Sequence, residues 1–86
     1  MRIVAFHQSA FEQYNEWAAT DMKIFDRLRR MIAETARTPF AGTGKPEPLK
    51  GNLKGYWSRR ITQEHRLVYR VTEEQITIVS CKYHYD

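Results

Sequence analysis

The chain has 86 residues, enough for one domain with a small core. Its net charge of +4 suits a nucleic acid or an acidic protein partner. Cys81 is the single cysteine, which excludes an internal disulfide and a cysteine metal cluster, and no apolar run is long enough to span a membrane.

A lone thiol fits a reducing cytoplasm. The opening residues turn polar too quickly for a signal peptide. Residues 3–6 form a short apolar run that predicts a first strand. Ser9 with Glu12 is a capping-box pattern and predicts a helix from Ser9, with Phe11, Tyr14, Trp17 and Ala18 on one face. Thr20–Asp21 starts a second helix, so the two should form a hairpin with almost no loop. In that helix Ile24, Phe25, Leu28, Met31, Ile32 and Thr35 keep the helical period, and Arg27, Arg29, Arg30 and Glu34 fall on the solvent side. Pro39 ends it.

Residues 40–55 hold four glycines and two prolines and read as loop. That length is large for a structureless connection in a small domain, a hint of function. Three strands follow at 56–62, 66–72 and 75–83, joined by short turns and therefore antiparallel. The order predicts an α+β fold with helices on one face of the sheet.

Alternation sorts the sheet faces. Leu67, Tyr69 and Val71 share the face the helices should cover, with Tyr69 and Trp57 as core residues. Arg66 and Arg70 fall on the other, open face, with Arg60 and His84 expected to join them. Arg59 has the opposite parity to Arg60, so its loss should matter much less to chemistry than that of Arg66 or His84. The Arg59–Arg60 pair reads as an electrostatic footprint or as a charged edge strand that resists aggregation. Tyr83 is expected in the core and Tyr85 at the site.

One carboxylate, several guanidiniums and a near-terminal imidazole suffice to cut a phosphodiester without a metal. Glu47 sits between Pro46 and Pro48, which stiffen the backbone presenting it; a solvated loop carboxylate would read the same. Arg66 can clamp a phosphate through two hydrogen bonds, or pair across strands with Glu64 or Glu73. His84 titrates near neutrality and can serve as an acid, or lie on an exposed tail. Lys45 and Lys50 can bind phosphate or keep the loop soluble. His65 is expected to cap a turn. The histidines lack metal-site spacing, and no nucleotide-binding glycine motif occurs, so neither metal nor cofactor is expected.

Thr38-Pro39-Phe40, Gly42-x-Gly44-Lys45-Pro46-Glu47-Pro48-Leu49-Lys50, Trp57-Ser58-Arg59-Arg60-Ile61, Glu64-His65-Arg66-Leu67-Val68-Tyr69 and Tyr83-His84-Tyr85 closely resemble the YoeB toxins of the RelE-like superfamily. The resemblance runs over essentially the whole chain. It implies a compact RelE-like, microbial-ribonuclease-like fold and a bacterial type II toxin that cuts messenger RNA in the ribosomal A site. By resemblance Glu47 is the general base, His84 the general acid and Arg66 the phosphate-stabilising arginine. Lys50 and Arg60 are accessory basic residues, and Tyr85 is the terminal tyrosine of the site. The implied partners are a YefM/Phd-like antitoxin, the ribosome and mRNA, with operator DNA reached only through the antitoxin complex. A homodimer is left open. The chain departs from the family pattern at Asp86, whose carboxylate is expected to influence His84.

A second class fits the same residues: a non-catalytic RNA- or ribosome-binding module using the basic face and aromatics. Pure binding gains nothing from a carboxylate among phosphate-binding groups, so Glu47 with His84 separates the two. A DNA-binding repressor is disfavoured by the lack of a helix-turn-helix pattern.

Overall fold

The computed structural model describes residues 1–83; His84, Tyr85 and Asp86 lie outside the described residues. The elements are β1 (Ile3–Phe6), α1 (Gln8–Thr20), α2 (Met22–Arg37), β2 (Glu47–Pro48), a 3-10 turn (Gly51–Leu53), β3 (Tyr56–Arg60), β4 (Arg66–Val71) and β5 (Gln75–Ser80). This is the expected α+β order.

Helix α1 starts one residue earlier than its capping box predicts. His7 is the N-cap, without a side-chain cap bond. The cause is tertiary: the His7 N–H donates to the Ile78 carbonyl at 3.0 Å, so pairing with β5 fixes where the chain turns. Asp21 alone separates the helices. Its Oδ1 accepts from the Lys23 and Ile24 amides at 3.1 Å, as the sequence predicts for an N-cap.

The five strands lie in the order β1-β5-β4-β3-β2. β2 with β3, β3 with β4 and β4 with β5 pair antiparallel. β1 runs parallel to β5, because the helical hairpin carries the chain across the sheet before the remaining strands form. The two-residue β2 lies inside the predicted loop; no periodicity can reveal an element so short.

The helices cover one face. Trp17, Leu28, Met31 and Ile32 pack on Leu67, Tyr69, Ile76 and Ile78, all buried. Cys81 is buried there as well, and burial pushes its thiol up to about 12, which leaves it an inert apolar group. Tyr83 departs from expectation: it is 57% exposed, since β5 ends at Ser80 and the strand period ends with it.

Arg59 overturns the edge-strand reading. β3 lies between β2 and β4, and Arg59 faces the helices with no exposure at all. Its Nε donates to the Tyr69 hydroxyl at 3.1 Å and its Nη1 to the Thr43 carbonyl at 3.1 Å. Its Nη2 donates to the carbonyls of Thr38 and Ala41. Burial raises the pKa of Tyr69, so its hydroxyl remains a donor, to the Pro39 carbonyl at 2.6 Å. One buried guanidinium thus organises the chain after α2. Arg59→Met should keep the volume but orphan these acceptors, lowering unfolding free energy by about 3–5 kcal/mol in urea titrations.

Glu34 completes this network. Its carboxylate accepts from the Thr43 amide at 3.1 Å and lies 3.6 Å from Arg59 Nη1. The bond from the Thr43 amide, against some desolvation, holds its pKa below the usual glutamate value. A depressed carboxylate stabilises the fold above its unfolded pKa, and that contribution is lost as pH falls through the folded value. Glu34→Gln should therefore be less stable than the parent chain near neutrality, with the gap narrowing as pH falls below 4.5 in denaturant series.

Candidate active site

Strand register brings three of the predicted residues, Glu47, Arg60 and Arg66, to the sheet face away from the helices. Glu47 pairs with Ser58, Ser58 with Val68, and Arg60 with Arg66. Directly paired residues project from the same side of a sheet. Arg66 Nη1 donates to Glu47 Oε1 at 3.1 Å and to Ser58 Oγ at 3.2 Å. The partner of Arg66 is therefore Glu47, rather than Glu64 or Glu73. The pair is partly accessible, with side-chain exposures of 24% for Arg66 and 58% for Glu47.

Nη1 carries both of these bonds. Among the described residues, Nε and Nη2 of Arg66 make none, and the side chains of Lys45, Lys50 and Arg60 make no hydrogen bond or ion pair. Arg60 stands directly opposite Arg66 on one side of an antiparallel pair. Two like charges so placed repel, and an anion between them removes the repulsion.

The loop that presents Glu47 is fixed from below. The Gly44 carbonyl accepts from the Arg60 amide at 2.7 Å. Gly44 has φ +85°, and a Cβ there would stand 2.8 Å from the Arg60 carbonyl oxygen. Lys45 follows at φ 52°, also left-handed, and the chain then enters Pro46 and β2. Pro46 and Pro48 flank Glu47 in this segment, and Gly44 and Arg59 set its position.

Sequence reasoning missed Ser58 and His65. Ser58 is a buried acceptor that holds Arg66; only the Glu47–Ser58 register reveals this, and register is not written in a single strand. His65 does not cap its turn: the Thr62 hydroxyl accepts from the His65 and Glu64 amides. His65 is instead buried, and its Nδ1 accepts from the Tyr83 amide at 2.8 Å. The Arg66 amide donates to the Tyr83 carbonyl at 3.1 Å. The chain therefore runs beside Arg66 at Tyr83. The predicted acid His84 and tyrosine Tyr85 follow, outside the described residues.

No three His, Cys, Asp or Glu side chains come together among the described residues. No helix among them is long and apolar enough to cross a membrane. A cleft of about 180 Å³ lined by Arg27, Arg30, Met31, Glu34 and Thr43 involves none of the predicted site residues. The Glu47–Arg66 pair lies instead on the sheet face away from the helices, where both side chains keep partial exposure while Ser58 and Val68 on the same face are buried.

Residues 6–85 match the sequence profile of the YoeB-like toxin of bacterial type II toxin-antitoxin system. The chain belongs to this family. The toxin YoeB of Streptomyces coelicolor is 54% identical over 82 residues, 95% of this chain and 98% of that protein. The YoeB/ParE toxin from Agrobacterium tumefaciens superposes with a TM-score of 0.92 at 45% identity, covering 99% of this chain and 100% of that one. A YoeB dimer from Staphylococcus aureus gives 0.89 at 45% identity over 98% of both chains. A YoeB–YefM complex from the same organism gives 0.88 at 43% identity over 99% of both. The fold of the chain is thus that of the YoeB-like toxins.

Two glycines test how the loop is held. A Cβ added to Gly51, at φ +66°, would meet nothing within 4 Å, whereas one added to Gly44 would meet backbone. Gly51→Ala should cost only the left-handed strain, about 1–2 kcal/mol. Gly44→Ala should cost more, because the Cβ adds a clash with the Arg60 carbonyl, whose own residue is tied to Gly44 through the Arg60 amide. Urea midpoints of the two variants check the order.

Proposed function

We propose that this YoeB-like toxin is a metal-independent endoribonuclease that cuts mRNA in the ribosomal A site and so stops translation. The observation that carries the reading is the Arg66–Glu47 hydrogen bond at 3.1 Å on an open face, with Arg60 opposite Arg66. A base and an anion clamp are side by side where a nucleic-acid backbone has access. Family membership supports the same reading.

Glu47 removes the proton from a ribose 2′-hydroxyl, and that oxygen attacks the adjacent phosphorus. Arg66, with Arg60, Lys50 and Lys45, stabilises the charge that grows on the phosphoryl oxygens. His84 protonates the leaving 5′-oxygen, and Tyr85 completes the site. The products are a 2′,3′-cyclic phosphate, or the 3′-phosphate derived from it, and a free 5′-hydroxyl. In the unliganded protein Arg66 holds Glu47. An incoming phosphate competes for that guanidinium through its Nε and Nη2 edge, which leaves the carboxylate in place as the base.

Acid–base help is worth about 10²–10⁴-fold. One anion-stabilising donor is worth about 3–4 kcal/mol. Alignment of the substrate must supply much of the rest, and the ribosome is the natural source of it. Free RNA should then be a poor substrate. The toxin acts in the cytoplasm. Its antitoxin is YefM-like and covers the basic open face, as suits the YefM complex of the S. aureus relative, and operator DNA is met only through that complex. A homodimer accords with the dimer of the same relative.

Glu47→Gln keeps shape and hydrogen bonding to Arg66 but loses basicity. Ribosome affinity should be unchanged or slightly higher, because one negative charge near the phosphates is gone. Single-turnover cleavage on programmed ribosomes should fall by about 10²-fold or more. Unchanged cleavage would remove Glu47 from the chemistry. A loss explained wholly by weaker binding would favour a non-catalytic ribosome-binding module.

A further inference from the structure

We infer that His65 is a positioning residue: it clamps Tyr83 to the start of β4 and so delivers the carboxy-terminal segment beside Arg66. The effect on cleavage rests on the ribonuclease reading above; the clamp itself does not.

His65 is 7% exposed. Its ring meets Trp17 edge-on, with centroids 4.8 Å apart, and leans on the Tyr83 ring at 5.4 Å. Its backbone is fixed on both sides. The carbonyl accepts from the Ile61 and Thr62 amides, and the amide donates to the Thr62 hydroxyl. Nδ1 accepts the Tyr83 N–H at 2.8 Å, which requires an unprotonated Nδ1 and places the ring proton on Nε2. The next residue, Arg66, donates its amide to the Tyr83 carbonyl. Two consecutive residues thus take both backbone polar groups of Tyr83.

Tyr83 needs such a hold. It has φ 63°, a region that a bulky side chain rarely adopts, and its ring is mostly in solvent. Apolar burial does not keep it there. The residues before it are held by α1: Gln13 Oε1 accepts from the Cys81 amide at 2.8 Å, and Trp17 Nε1 donates to the Cys81 carbonyl at 2.9 Å. Lys82 pairs with Glu16 and lies over the Trp17 ring. His65 and the Arg66 amide are the anchors of Tyr83 itself, and strain held by its surroundings at one residue is typical of a functional position.

The test uses the full chain, isotope-labelled. In the wild-type protein a coupling across the hydrogen bond between the Tyr83 amide nitrogen and His65 Nδ1 should be detected. Its absence in the folded protein, with Tyr83 exchanging freely, overturns the clamp without any variant. H65N places an oxygen acceptor where Nδ1 stood, whereas H65Q does not. Tyr83 amide exchange should stay within about threefold of wild type in H65N and speed up roughly tenfold or more in H65Q, relative to the β4 amides. On saturating programmed ribosomes H65Q should lose about 10²-fold in single-turnover rate at unchanged ribosome affinity, and H65N should recover most of it. Equal Tyr83 protection in the two variants, or equal cleavage rates, overturns the proposal. If the wild type itself does not cleave, the ribonuclease reading fails, and the exchange and coupling data still decide the clamp.

Discussion

A guanidinium with no solvent contact is the constraint on which the rest of this protein rests. Arg59 leaves water entirely, and such a charge is tolerated only if its donors are met. They are met mainly by carbonyls of the segment that follows α2: Thr38, Ala41 and Thr43. That segment has no helix or strand of its own to satisfy its backbone. The charge and the loop therefore solve each other's problem. Glu34 stands 3.6 Å away and binds the Thr43 amide, which ties the same loop back to α2. From this anchor the chain passes through Gly44, whose carbonyl is bonded to Arg60, and rises to Glu47. The place of a carboxylate on the open face is thus set by an arginine buried beneath the other.

The two faces of β3 treat adjacent arginines in opposite ways. Arg59 is satisfied by oxygen atoms of the protein. Arg60 is exposed, faces Arg66 across the strand pair, and has no acceptor among the described residues. Glu47 offsets part of the positive charge, and Ser58 holds the guanidinium in line. An arrangement with excess positive charge on a rigid strand pair is unfavourable alone and becomes favourable with an anion in place. An anionic partner is therefore the electrostatic complement of this face.

Much of this was legible in the sequence, and the failures have physical causes. Alternation separates Arg59 from Arg60, since parity within a strand survives any register, whereas the expected grouping of Arg60 with Arg66 on different strands depends on the β3–β4 register. Asp21 was read correctly as a cap, because its bonds are local. The Ser9–Glu12 box failed for the converse reason: a long-range bond from His7 to Ile78 decided the turn. Burial of Arg59 was not legible, because nothing in Trp57-Ser58-Arg59-Arg60 says which strand lies outside it. The pairing of Glu47 with Arg66 depends on register and on a two-residue strand. Tyr83 was assigned to the core by continuing the period of β5 beyond Ser80, where the strand had ended.

The proposed mechanism needs three groups from parts of the chain with unequal rigidity. Arg66 stands on a strand that is paired on both sides. Glu47 lies at the sheet edge on a loop held by Arg59, and the segment ending in Tyr83 is held by α1 and His65. Both holds depend on side-chain hydrogen bonds to backbone, beside the burial of Cys81 and the packing of Phe40 on Trp57. Such bonds are directional: they fix position sharply, and each is lost when a single acceptor or donor is removed. In the proposed mechanism a phosphate meets a fixed clamp at Arg66, while Arg59 sets the loop that carries the carboxylate and His65 holds Tyr83. Those two residues lie on or beside the same β3–β4 hairpin that carries Arg60 and Arg66. In that mechanism the hairpin unites anion binding with alignment, so a change at either buried residue is transmitted to the proposed site even though neither lies on its surface.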